Sequence, residues 1–203
     1  MSAFLGPIHY WVYGKIEFQN ELVKKLSAMV IEKGYSKEIL SIMEQKYDTI
    51  ESDSLEKIID LNNIHGWLQD KIAVVEKRLA FLVTALVAEK PDCIVDIMQT
   101  AYAFGESKKL SERKSVSEVY EYLDSLLLNG MPCDRVNFLI SQDQNALVWQ
   151  QTTDVHSVYW EEQHGNIGYY YDIREKLISG ILKGTGIAYK QLENQTYTLI
   201  MEE

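Results

Sequence analysis

Two histidines stand in one repeated context: "IHYWVYGKI" at residues 8–16 and "IHGWLQDKI" at residues 64–72. Five of the nine positions are identical, among them His9 and His65, Trp11 and Trp67, and Lys15 and Lys71. The likeness runs on weakly through Leu26 and Leu82, then through "EKGYSKEILSIM" and "EKPDCIVDIM". Each copy reads as a long helix, a stop and a short helix, which points to a duplicated helical hairpin. Chance likeness between two amphipathic helices is the competing explanation. His9, Val12 and Ile16 share a helix face by spacing, as do His65, Leu68 and Ile72, so each imidazole is expected on an inward stripe. Related hairpins tend to pack about a pseudo-twofold axis. Such packing would let His9 and His65 converge on a divalent transition metal, a haem iron or an acidic small molecule. Two imidazoles under-fill a zinc site, which takes four ligands, but suffice as axial ligands of a haem. The plainer expectation is that each histidine bonds a carbonyl, a Tyr or a cap while Trp11 and Trp67 fill core. Each repeated lysine follows its tryptophan by four residues, so its stem is expected to lie along the ring.

The C-terminal half offers other candidates. His156 and His164 flank Trp160, with Asp154, Glu161 and Glu162 nearby, and a metal site can be drawn there. A helix face with solvated charge explains the same residues. In "YYDIREKLISGILKGTG", Arg174 is the best single group for gripping an anion, because a guanidinium binds a carboxylate bidentately. An ion pair with Asp172 or Glu175 would explain it without a ligand. Tyr169, Tyr170 and Tyr171 supply core or a pocket wall. No P-loop, dinucleotide-binding glycine fingerprint, HExxH or nucleophile elbow occurs.

Around Arg174 the chain resembles a known superfamily. Tyr170-x-Asp172-x-Arg174, then a helix ending in "GILKG", then a β-hairpin, is similar to the end of haem–nitric oxide/oxygen-binding domains. Those carry Tyr-x-Ser-x-Arg, a G-x-x-x-G helix segment and a terminal hairpin. The superfamily also includes 4-vinyl reductase domains and some vesicle-tethering subunits. The resemblance covers about the last 70 residues. It implies an α+β ligand-binding shape, with Tyr170 and Arg174 beside haem or another tetrapyrrole. Asp172 stands where the family has serine, no histidine lies between His65 and His156, and the final hairpin lacks the cysteines of the 4-vinyl reductase type.

The elements that must position these residues follow from pattern. Pro7 opens an amphipathic helix that Gly34 closes. Ser36 is placed to cap a second helix, and Asp53 with Glu56 has capping-box spacing before a long helix ending at Lys90-Pro91, with a kink at Asn62-Asn63. Another helix is expected to stop at Gly105. "GESKKLSERKS" is the polar linker, dividing residues 1–105 from 106–203 within what could still be one integrated domain. Beyond it come a helix, two strands around "QDQ", a helical stretch broken near Gly165–Gly168, and a hairpin around Asn194-Gln195. The expected class is α+β: a helical N-terminal half packed with a four-stranded antiparallel sheet and a long broken helix.

Composition narrows the functions. The chain has 203 residues, 46% of them hydrophobic, and a net charge of −10, which disfavours nucleic acid and anionic lipid as partners. Two distant cysteines fit a reducing compartment, and the start shows no signal-peptide order. The longest apolar run, at residues 79–88, is half a membrane span. A cytoplasmic protein with no membrane partner is expected. The first functional reading is a sensor or carrier with a small-molecule partner or cofactor, the candidate residues being His9, Trp11, His65, Trp67, Tyr170 and Arg174. The second is a small or metal-dependent hydrolase using His9, His65 or His156 with a carboxylate. The third is a homodimeric interaction scaffold.

Overall fold

The structure, a computed structural model, describes residues 4–51, 53–110 and 114–202. Eight helices and four strands are described: α1 (Pro7–Glu32), α2 (Lys37–Lys46), α3 (Leu55–Ile58), α4 (Ile64–Glu89), α5 (Ile94–Ser107), α6 (Val116–Leu126), β1 (Asn137–Gln142), β2 (Ala146–Gln151), α7 (Ser157–Glu161), α8 (Gly168–Ile181), β3 (Ile187–Gln191) and β4 (Thr196–Met201). Helices come first and strands last, so the class is α+β. No described helix is long and apolar enough to cross a membrane.

The two helices that carry the repeated motif, α1 and α4, are each 26 residues long and lie side by side in the same direction. Their N-terminal turns share one apolar cluster, where Val12, Tyr13 and Ile16 meet Leu68, Ile72 and Val75. Their later turns enter a second, larger cluster through Leu22, Leu26 and Val30 and through Leu79, Leu82 and Leu86. That larger cluster also takes residues from α5, α6, α8 and the sheet, so the segments before and after the polar linker share one core. Part of the linker lies outside the described residues.

The sheet has order β1-β2-β4-β3 and is antiparallel throughout. Register sets Trp149 opposite Tyr197 and Leu147 opposite Leu199, and these four side chains are buried on one face beneath the helices. The β3–β4 turn uses left-handed Asn194 and Gln195. At the outer edge, β1 leaves Phe138, Leu139 and Ile140 exposed, and its pairing shifts between Leu139 and Ser141.

Three local expectations are corrected. The long helix before Lys90 is broken rather than kinked: α3 is a single turn, and Asn63 Oδ1 then accepts the Gly66 N–H at 3.2 Å to start α4. Asp53 does not cap as a box partner of Glu56. Its carboxylate takes the Ser54 N–H and pairs with Lys57 at 2.9 Å. Gly105 does not end α5, which runs to Ser107.

Gly105 instead permits a close contact between α5 and α8. A Cβ there would stand 2.1 Å from the Leu177 carbonyl oxygen, and one on Gly180 would stand 2.2 Å from that of Tyr102. Both obstacles are backbone, so α5 and α8 would have to separate. Gly14, inside α1, has open space around its Cβ position. Gly180→Ala should therefore destabilise the fold by about 1–3 kcal/mol. Gly14→Ala should be neutral or stabilising by up to ~1 kcal/mol. Urea denaturation of the two variants checks this, and equal midpoints would contradict it.

Candidate ligand-binding site

His9 and His65 do meet. Their Nε2 atoms lie 3.4 Å apart, and the rings are tilted at 47° with centroids 5.5 Å apart. The meeting place is the open end of the α1–α4 pair, however, not an interior. His65 is exposed and His9 half-buried, because each sits within the first turn of its helix. The His9 Nδ1 atom accepts the Gly6 N–H at 2.9 Å, so it helps close the start of α1. An imidazole whose Nδ1 accepts must carry its proton on Nε2 when neutral. That nitrogen then donates to His65 and has no lone pair to offer. The expected metal or haem iron between these rings therefore does not fit. No group of three or more His, Cys, Asp or Glu side chains suited to a metal occurs among the described residues.

The tryptophan beside each histidine is covered by its lysine. The Lys15 ammonium lies 3.4 Å from the Trp11 ring centroid, and that of Lys71 lies 5.3 Å from Trp67. Trp67 also packs on Tyr13, with ring centroids 5.7 Å apart. Neither tryptophan is fully buried.

The second histidine pair separates. Asp154 accepts the backbone N–H groups of His156 and Ser157 and so opens α7. His164 follows the helix in the left-handed region, exposed to solvent. His156 turns inward and is fully buried. Both its nitrogens are engaged: Nδ1 lies 3.0 Å from Oε1 of Glu76, on α4, and Nε2 lies 3.0 Å from the Tyr170 hydroxyl, on α8. A metal has no lone pair to use there, so the expected His156–His164 site is also corrected.

One direction of hydrogen bonding runs through this series and ends at Glu76, whose Oε2 is buried without a partner among the described residues. Arg174 Nη1 donates to the Tyr170 oxygen at 3.0 Å, the Tyr170 hydroxyl donates to His156, and His156 donates to the Glu76 carboxylate. Tyr170 is held well above the ordinary phenol range, chiefly by burial and against the pull of Arg174, so it stays a hydroxyl and can pass the bond on. Arg174 also donates to the Leu128 carbonyl at 3.2 Å and to Asn129 Oδ1 at 2.7 Å. Neither Asp172 nor Glu175 takes it, and it pairs with no carboxylate among the described residues. The ion pair that would have explained Arg174 without a ligand is therefore absent.

Arg174 faces a narrow cleft of about 20 Å³ between α6, α8 and the sheet. Its walls are aromatic: Trp149 stacks on Tyr197 at 5.7 Å, Tyr197 on Tyr189 at 5.9 Å, and Tyr120 meets Trp149 edge-on at 5.1 Å. Tyr120, Asp124, Asn129 and Asn137 also line an adjoining cleft of about 210 Å³, which reaches Trp11, Lys15 and Arg135. Three cationic side chains thus border the combined space, with Asp124 as its one acid.

No family model, curated protein or solved structure matches the chain. The likeness to haem–nitric oxide-binding domains rests on the residues around Arg174 alone. Those residues do not fit a haem. Among the described residues no histidine, cysteine or methionine lines the cleft beside Arg174, and the adjoining cleft offers only Met131. Its tyrosines Tyr189 and Tyr197 are both held above the ordinary phenol range, chiefly by burial, which opposes a phenolate ligand.

Sequence reasoning selected Tyr170 and Arg174, and the structure joins them. It missed Glu76, Lys15 and the sheet aromatics as site residues. Glu76 carried a signal, since a lone acid among Val75, Leu79 and Ala80 interrupts a buried face.

Two outcomes follow. His156→Ala strands a buried carboxylate and should cost roughly 3–5 kcal/mol in urea denaturation, whereas removal of solvent-exposed His164 should cost under about 0.5. Equal losses would contradict the buried chain. Burial pushes the Lys15 amine down to about 8, opposed by Asp124 and helped by Arg174. Its charge therefore destabilises the fold below pH 8 by roughly 3 kcal/mol. The unfolded chain holds that proton up to an ordinary 10.5, so the penalty should fade as pH rises from about 8 to 10.5. Measured against Lys15→Met, the wild type should gain stability across that window. A flat difference would show that the amine is not buried.

Proposed function

We propose that the protein binds a small carboxylate with a planar apolar body in the cleft beside Arg174, as a sensor or carrier. The observation that supports this is a half-buried guanidinium fixed on one side by Tyr170, Leu128 and Asn129, with no acid of its own, facing a wall of stacked aromatic rings. A guanidinium prefers a planar anion, and the rings suit a flat body. The chain's net charge of −10 repels anions at long range, so selection would act locally through Arg174, Lys15 and Arg135.

The hydrolase reading gains less. His156 and Glu76 form an acid–base pair, but they are 0% and 1% exposed and Tyr170 stands between them and Arg174. A second reading, association of two copies, has one observation in its favour. The edge strand β1 carries no charged residue and exposes three consecutive apolar side chains.

Calorimetric titration with benzoate tests the main reading. The wild type should bind, with quenching of tryptophan fluorescence from Trp149, and Arg174→Gln should weaken binding at least tenfold while remaining folded by circular dichroism. Failure of benzoate and related aryl carboxylates to bind the wild type, or equal binding by the variant, would contradict it.

A further inference from the structure

We propose that Lys15 is a carbonyl-reactive amine, and that the carboxylate ligand of the cleft carries an aldehyde or ketone with which it condenses. The inference rests on the preceding reading and deepens it by naming the ligand's second group.

The geometry has four parts. Lys15 is only 3% exposed, yet it lines the floor of the cleft that continues from Arg174. Among the described residues the one polar partner of its nitrogen is the Asp124 carboxylate. The nitrogen lies over the Trp11 ring and 3.6 Å from Asp124 Oδ1, beyond ordinary hydrogen-bond length. Asp124 is half-exposed, so it can exchange protons with water. Arg174 stands at the other end of the same space, which would seat a carboxylate there and leave the ligand's carbonyl directed towards Lys15.

The step balances without any redox partner. The Lys15 ammonium gives one proton to Asp124, and the free amine adds through its lone pair to the carbonyl carbon. The resulting carbinolamine takes a proton from Asp124 on its hydroxyl, loses water and leaves a protonated imine. The depressed basicity of Lys15 supports the first transfer. With a value of about 8, roughly a tenth of the amine is neutral at pH 7, against on the order of one in a few thousand for an ordinary lysine.

Lys71 is the internal control. It covers Trp67 as Lys15 covers Trp11, but at 5.3 Å and half-exposed, with no acid beside it in the described ion pairs.

The test is reductive trapping of the full chain with 4-formylbenzoate, whose aldehyde and carboxylate stand at opposite ends of one ring, and cyanoborohydride, read by peptide mass spectrometry. Lys15 should be labelled at least tenfold faster than Lys71, and excess benzoate should abolish the difference. Arg174→Gln should slow labelling by 4-formylbenzoate at least tenfold more than it slows labelling by benzaldehyde, which lacks the carboxylate. Labelling of Lys15 no faster than Lys71 would overturn the proposal, as would an Arg174→Gln variant slowed by the same factor towards both probes. If benzoate binds the wild type but Lys15 is not labelled, this inference alone fails. If benzoate does not bind, the ligand site itself fails.

Discussion

A carboxylate, an imidazole, a phenol and a guanidinium stand in series inside this molecule, and the arrangement of the C-terminal half depends on them. Glu76 belongs to α4, His156 to the turn before α7, and Tyr170 and Arg174 to successive turns of α8. Arg174 then reaches Leu128 and Asn129, beyond α6. Four segments far apart in sequence are thus tied by directional bonds that tolerate little rearrangement. A buried charge without a partner costs several kcal/mol, so each member holds the others in place. The close approach of Gly105 and Gly180 adds a steric constraint on the same helix α8. Together they leave Arg174 little freedom except to face the cleft.

Burial, rather than residue type, separates the histidines. His9 and His65 form a pair at the end of two parallel helices, where solvent can satisfy whatever they do not satisfy in each other. His156 has no such recourse. Each of its nitrogens takes a defined partner, and that requirement fixes the direction of every bond from Arg174 to Glu76. The same logic applies to the lysines that cover Trp11 and Trp67. Lys15 is drawn inside by its place between α1 and α6, while Lys71 remains at the surface.

Much of the fold was legible because local signals state it. Pro7, Gly34 and Lys90-Pro91 mark the ends of the long helices, and alternation with turn residues marks both hairpins. Arg174 was legible as a candidate because a guanidinium binds a carboxylate bidentately, and Tyr170 because Tyr-x-Asp-x-Arg resembles a known motif. What the sequence hid depends on distance along the chain. Glu76 and His156 are 80 residues apart, and no spacing rule joins them. The stripe that predicts an inward His9 is correct for Val12 and Ile16 but fails at the first turn, where the helix projects past its neighbours. Gly105 reads as a stop because a glycine before a polar run usually is one. Its role in contact with α8 is visible only across the packed pair.

The most direct measurement is a crystal structure of the protein with p-iodobenzoate, read through the anomalous signal of iodine. The account predicts the carboxylate on the Arg174 guanidinium, the iodine beyond it along the wall formed by Trp149 and Tyr197, and the hydrogen bonds through Tyr170 and His156 to Glu76 intact. Arg174 found in an ion pair with an acid of its own chain, and no iodine in the cleft, would contradict it.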